Sequence, residues 1–234
     1  MNVAIIPARG GSKRIPRKNI KNFCGKPMLA WSIEAAKASK CFEHIVVSTD
    51  DEEIAGVARQ WGAEVPFMRP AYLADDYTGT IPVIAHAVKW INRNIGAVEN
   101  ACCIYATAPF LTEIDLQNGL QIIQTENINY AFSVTSYAFP IQRAIRITQN
   151  LRVEMFYPEH FHTRSQDLEE AWHDAGQFYW GKANAWIEEH PLFTKDSVPI
   201  KLPRHRVQDI DTMEDWSRAE WLFKSMHSKV GAGI

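Results

Sequence analysis

The sequence predicts an α/β fold: a mostly parallel sheet with helices on both faces. Three observations lead there. Apolar runs alternate with helix-length segments as far as Ile123. The repeated strand–helix order favours parallel pairing and a sheet covered on two sides. The first apolar run breaks into a glycine loop rich in cations, an arrangement found at the carboxyl edge of such sheets.

Residues 2–6 read as a buried strand and 7–17 as a loop. Residues 28–39 read as a helix with Pro27 near its first turn. A strand over 44–49 ends at Asp50-Asp51 and leads to a helix over 52–61. A short extended piece, 64–67, precedes the loop Arg69-Pro70-Ala71. Ile81, Ile84, Ala85, Val88 and Ile91 recur at helical spacing. A strand over 101–105 and a helix over 114–123 follow.

The rhythm changes after Tyr130. Residues 131–137 are strand-like, as are 143–147, and roughly 138–175 leave the main sheet, a candidate subunit contact. Strands return over 176–180 and 198–202. Met213, Trp216, Ala219, Phe223 and Met226 share one face of a final helix, with Thr212 and Asp215 as its capping box.

The 234 residues are 46% hydrophobic and 11% aromatic, which suits one packed domain over 1–234. A net charge of -2 speaks against broad nucleic-acid binding, which needs a distributed basic surface. No stretch is long and apolar enough to span a bilayer, and the first apolar run is too short for a secretory signal. Cys24, Cys41, Cys102 and Cys103 lack metal or disulfide spacing, so free thiols in a cytoplasmic protein are expected.

Two constellations carry chemistry. Arg9, Lys13, Arg14, Arg17, Lys18 and Lys21 crowd around Gly10-Gly11. Glycines let backbone N–H groups face an anion, and the cations neutralise it. The spacing is neither a Walker loop nor GxGxxG, and a solvated turn is the plainer alternative. In 207–212, Asp209 and Asp211 lie two apart, so an extended chain aims both carboxylates one way and turns Ile210 to the core. Paired hard oxygens suit Mg²⁺. The alternative is a solvated pair at a helix N-terminus. A phosphate cradle with a carboxylate pair fits nucleotidyl transfer better than γ-phosphoryl transfer.

The string from Ile5 to Asn19, IIPARGGSKRIPRKN, resembles the signature of the CMP-sialic acid synthetase (acylneuraminate cytidylyltransferase) family. Val46-Val47-Ser48-Thr49-Asp50, Arg69-Pro70-Ala71 and Asp209-Ile210-Asp211-Thr212 extend the resemblance over nearly the whole chain. It implies a Rossmann-like nucleotidyltransferase fold, Mg²⁺ dependence and a homodimer formed partly through an inserted segment. The implied reaction joins CTP to a keto-sugar acid and releases pyrophosphate. By position, Arg9, Ser12 and Lys18 would hold the CTP phosphates, within a loop that includes Ala8, Gly10 and Gly11. Asn19, Arg69 and Thr80 would surround ribose and cytosine. Asp209 and Asp211 would hold the metal, with Asp211 or a hydroxide on the metal as base. Arg9 and Lys18 would steady the leaving pyrophosphate.

The acceptor side departs from the sialic acid pattern. Tyr105 and Leu111 stand where the family has Gln and Arg. His173-Asp174-Ala175-Gly176-Gln177-Phe178-Tyr179-Trp180, with Ala74-Asp75-Asp76 and Gly79-Thr80-Ile81-Pro82, resembles the branch acting on pseudaminic acid. Its product would be an activated sugar for surface glycans or flagellin. Tyr105 and Gln177 are candidate readers of the acylamino groups, and Arg164 or Arg143 of the sugar carboxylate. Neuraminate, legionaminate and Kdo are rival acceptors, and a non-catalytic nucleotide-binding module is the rival of another class. Glu159-His160-Phe161-His162 reads as polar surface on an edge strand, and His86 as an ordinary helix residue.

Overall fold

A computed structural model describes residues 1–227. In chain order its elements begin with β1 (Asn2–Pro7), the small hairpin β2 (Asn22–Phe23) and β3 (Lys26–Pro27), and α1 (Met28–Ser39). Next come β4 (His44–Ser48), α2 (Glu52–Gln60), α3 (Thr80–Asn94), β5 (Asn100–Ile104) and α4 (Glu113–Thr125). Then follow β6 (Tyr130–Ser136), β7 (Ile145–Ile147), β8 (Val153–Met155) and β9 (Trp172–Lys182). The chain continues with α5 (Ala183–Ile187), β10 (Ser197–Lys201) and α6 (Met213–His227).

Six strands form one sheet in the order β10-β6-β9-β5-β1-β4. β1 pairs in parallel with β4 and β5, and β10 with β6. Only β9 runs antiparallel, between β5 and β6. β1 shows why the sheet needs two covers. Ala4 and Ile6 join the core beneath α1, α2 and α4, whereas Val3 and Ile5 join the core beneath α3 and α5. Successive side chains of a strand point to opposite faces, so an all-apolar strand requires helices on both.

A third apolar cluster has a different task. Ile15, Phe23, Met28 and Phe110 pack with Ile210, Trp216 and Phe223. It joins the loop after β1 to the segment before α6. Phe23 stands edge-on to both Trp216 and Phe223, at 5.4 and 5.5 Å between centroids. The box expected at α6 forms: Asp215 N donates to Thr212 Oγ1 at 3.2 Å, and Thr212 N to Asp215 Oδ2 at 2.9 Å.

Three expectations need correction. The last long strand is β9, eleven residues from Trp172, not five from Gly176. The excursion therefore closes at residue 171 rather than 175. Its first residues are polar, and the register shifts near Gly176, whose φ of 61° favours glycine. No apolar run marked them as strand. In 143–147, residues Ile141–Arg143 form a 3-10 turn and only 145–147 pair, with β8. The extended piece over 64–67 joins β4 through a parallel bridge, Val46 to Glu64, as its reading allows. Pro158–His160 is a 3-10 turn, so the His160 segment is no edge strand.

Candidate functional site

β1 leads on one side to β4 and on the other to β5, so the strand order reverses at its carboxyl end. A crevice opens at such a switch point. Here the loop after β1, the N-terminus of α3 and Tyr105 beyond β5 wall a cleft. Arg9, Ser12, Lys18, Asn19, Arg69, Thr80 and Tyr105 all line it, and Asp211 joins them from the far end of the chain.

The loop is held from behind. Ala8 is buried and its N–H donates to the Ser48 carbonyl at 2.9 Å. Gly10 N donates to Asp50 Oδ1 at 3.0 Å, so that N–H is taken by a carboxylate of the chain itself and is not left for a bound anion as the sequence reading expected. A Cβ on Gly10 would come within 2.8 Å of Asp51 Oδ2. Glycine is thus needed there for close packing. Gly11 stays open to solvent. Asn19, 7% exposed, donates through Nδ2 to the Arg9 carbonyl at 3.0 Å and pins the loop.

Arg69 is a buried cation. Its Nε donates to Ser48 Oγ at 3.2 Å and its Nη2 to the Ser48 carbonyl. Burial lowers its pKa to about 10, with the charge of Asp50 opposing that shift. It remains a cation at neutral pH, in a wall that an anionic ligand would complement. Thr80 and Tyr105 share a hydrogen bond of 2.8 Å between their hydroxyls. Tyr105 packs beside Tyr179, whose hydroxyl donates to Asp174 Oδ2 at 2.6 Å.

At the opposite rim stands Asp211, with Asp209 two residues before it and outside the cleft lining. Ile210 between them is 1% exposed, as the alternation required. Asp211 meets Arg14 Nη2 at 2.8 Å and Lys18 Nζ at 3.3 Å. The Asp209 carboxyl is pushed above the ordinary range, first by desolvation and then by the charge of Asp211. Two hard carboxylate ligands two residues apart, with the Asp209 carboxyl disfavoured as an anion beside the charge of Asp211, are a donor set that fits Mg²⁺.

Three predicted readers lie elsewhere. Gln177 is 3% exposed and does not line the cleft; its Nε2 donates to the Arg206 carbonyl at 2.5 Å. Arg143 donates to the Thr163 carbonyl at 3.3 Å, and Arg164 pairs with Asp167 at 2.7 Å. Both arginines are exposed on the excursion. The sequence reading also missed Asp76, which accepts from Arg9 Nη1 at 2.7 Å and from Lys13. An acidic pair at 75–76 facing a basic loop was the available signal; the pairing itself spans 67 residues.

The family model described as cytidylyltransferase matches residues 3–224. A pseudaminic acid cytidylyltransferase of Campylobacter jejuni is 45% identical, covering 97% of each chain. A CMP-N,N'-diacetyllegionaminic acid synthase of Legionella pneumophila is 31% identical, over 95% of this chain and 96% of its own. Among solved structures, a CMP:2-keto-3-deoxy-manno-octonic acid synthetase complexed with CTP superposes with a TM-score of 0.70. That pair covers 96% of this chain and 99% of the other at 15% identity, a likeness of fold.

Proposed function

The chain belongs to the cytidylyltransferase family, and we propose that it transfers CMP from CTP to the anomeric hydroxyl of pseudaminic acid, releasing pyrophosphate. The observation that carries this reading is the assembly in one cleft of Arg9, Lys13, Lys18 and Arg69 with the Asp211 carboxylate. The 45% identical relative supports the acceptor.

Arg9, Lys13 and Lys18 hold the triphosphate and take up the charge that develops on departing pyrophosphate. Positioning and charge stabilisation of this kind dominate phosphoryl-type transfers. Arg69 and Thr80 receive the nucleoside. Asp209 and Asp211 would hold Mg²⁺, which supplies Lewis-acid charge stabilisation at the reacting phosphate. Asp211 is also at hand to accept the proton of the attacking hydroxyl. Tyr105, on the acceptor side, presents an aromatic face with a hydroxyl already oriented by Thr80.

The excursion supports a homodimer. Phe139, Ile147, Leu151, Val153 and Phe161 are exposed on it, at 83, 72, 84, 63 and 62%. Large apolar side chains left exposed together on one segment favour burial against a partner. Arg143 and Arg164 sit on the same excursion, so a second copy would bring them to an acceptor carboxylate. Chemistry on CTP and the buried thiols Cys41, Cys102 and Cys103 support a cytoplasmic setting. Among the described residues, no helix is long and apolar enough to cross a membrane.

The test is pyrophosphate release from CTP and Mg²⁺ with pseudaminate, neuraminate and legionaminate in parallel. Release mainly with pseudaminate is expected. Release mainly with another sugar would keep cytidylyl transfer and refute the acceptor. No release from folded protein that still binds CTP would favour a binding module.

A further inference from the structure

The segment carrying Asp209 and Asp211 belongs to no strand, so sheet hydrogen bonds do not fix it. Downstream it is anchored by buried Ile210 and by Asp215, which accepts from Asp211 N at 3.3 Å. Upstream the anchor is Arg206, three residues before Asp209. Its guanidinium grips Asp115 through two bonds of 2.6 and 3.0 Å. Asp115 is 5% exposed and is itself tied to the Thr112 hydroxyl at 2.7 Å and to Thr112 N at 3.1 Å, at the start of α4. Gln177 of β9 takes the other side of Arg206, donating to its carbonyl at 2.5 Å. Both the side chain and the main chain of Arg206 are therefore held, by the helix α4 and the strand β9.

Gln177 has a second connection. Its own carbonyl accepts from Tyr105 N at 2.8 Å. One residue thus sets the carboxylate segment in register with the wall of the cleft.

We propose that Asp115, Arg206 and Gln177 are positioning residues that hold the Asp209 and Asp211 carboxylates together as a divalent-cation site. The proposal rests on the reading of that pair given under the proposed function. Arg14 and Lys18 hold the Asp211 end of the segment, so the Asp209 end depends on the anchor at Arg206. A bidentate arginine fork fixes both the distance and the plane of its carboxylate partner, which a single hydrogen bond cannot. Groups bonded directly to a metal's ligands typically govern its affinity by about 10- to 100-fold, and a tether one step further out is set at the lower end of that range.

The experiment is a Mn²⁺ titration of ligand-free protein, following loss of the free-ion electron paramagnetic resonance signal, with Mn²⁺ standing in for Mg²⁺. Wild-type protein, Asp211→Asn, Gln177→Leu and Arg206→Lys are compared. Gln177→Leu removes one strut along with Gln177 Oε1, a buried acceptor that has no partner among the described residues, so the fold should survive it. Expected are loss of binding in Asp211→Asn and about 10-fold weaker binding in Gln177→Leu and Arg206→Lys. CTP affinity in EDTA and the thermal midpoint of Gln177→Leu should stay near wild type; a merely structural defect would move both. Should Arg206→Lys not fold, Gln177→Leu alone decides. Wild-type Mn²⁺ affinity in Gln177→Leu, with binding lost in Asp211→Asn, would overturn the proposal. Equal binding by Asp211→Asn and wild type would overturn the metal reading itself, and the proposal with it.

Discussion

Lys18 and Asp211 stand 193 residues apart in the chain and meet at 3.3 Å, while the same ammonium donates to the Ile210 carbonyl at 2.7 Å. The glycine-rich basic loop and the carboxylate segment therefore meet at one cleft, joined over the apolar cluster that holds Ile15 and Ile210. Asp211→Asn keeps the shape and removes the charge. Turnover should fall on the order of 10²-fold or more, as when a partner of the transition state is lost. Steady-state kinetics with a thermal melt checks it; near wild-type turnover in folded protein would remove Asp211 from the mechanism.

Asp76 occupies two cations assigned to the triphosphate, Arg9 and Lys13. Its carboxyl lies below the ordinary range, chiefly through Lys13 and then Arg9. A triphosphate held by Arg9 and Lys13 would have to displace that carboxylate. Asp76→Asn should therefore lower the KM for CTP several-fold at low ionic strength. The advantage should shrink as salt screens the competing pair. An unchanged or raised KM at low salt would show that the contact does not compete.

Asp51 links the loop to α2. It caps the helix, accepting from Ile54 N at 3.0 Å, and receives Arg17 at 2.5 and 2.9 Å. The Arg17 hydrogen bonds, before any other cause, hold its pKa at about 2. A carboxyl depressed in the folded state stabilises above its unfolded pKa, about 4, and that stability is lost as pH falls toward about 2. Asp51→Asn should therefore flatten the stability profile between those values. The wild-type advantage, about 2 kcal/mol at neutral pH, should vanish at the acid end. Denaturant unfolding at several pH values reads both; parallel profiles would refute the assignment.

The apolar side chains of β7, β8 and the turn between them predict the oligomer. Ile147→Glu with Leu151→Glu places charge on a surface that a second copy would cover. Sedimentation should show a dimer for wild type and a monomer for the variant, with near-native secondary structure. A variant that sediments like wild type would place the interface elsewhere.

Much of this was legible in one dimension because the signals are local. All-apolar strands, helical spacing in 81–91 and the Thr212–Asp215 box depend on neighbours a few residues apart, and all appear in the structure. Gly10-Gly11 and the Asp209–Asp211 alternation are local too. What misled was chemistry without context. Gln177 has the groups to read an amide, yet its amide nitrogen goes to Arg206, because β9 carries it into the interior. Gly10 N was free to face a phosphate until Asp50 claimed it.

The amino-acid sequence by itself determined the fold class, the glycine-rich basic loop and the alternation of the carboxylate pair, since each is written in spacings shorter than one element. Tertiary structure alone decided that Lys18 reaches Asp211, that Asp76 sits on Arg9, and that Arg206 grips Asp115 across 91 residues. Those pairings arise when the sheet closes and the third apolar cluster packs the two ends of the chain together. A hydrogen bond of about 3 Å is set by that closure, and no local pattern encodes it.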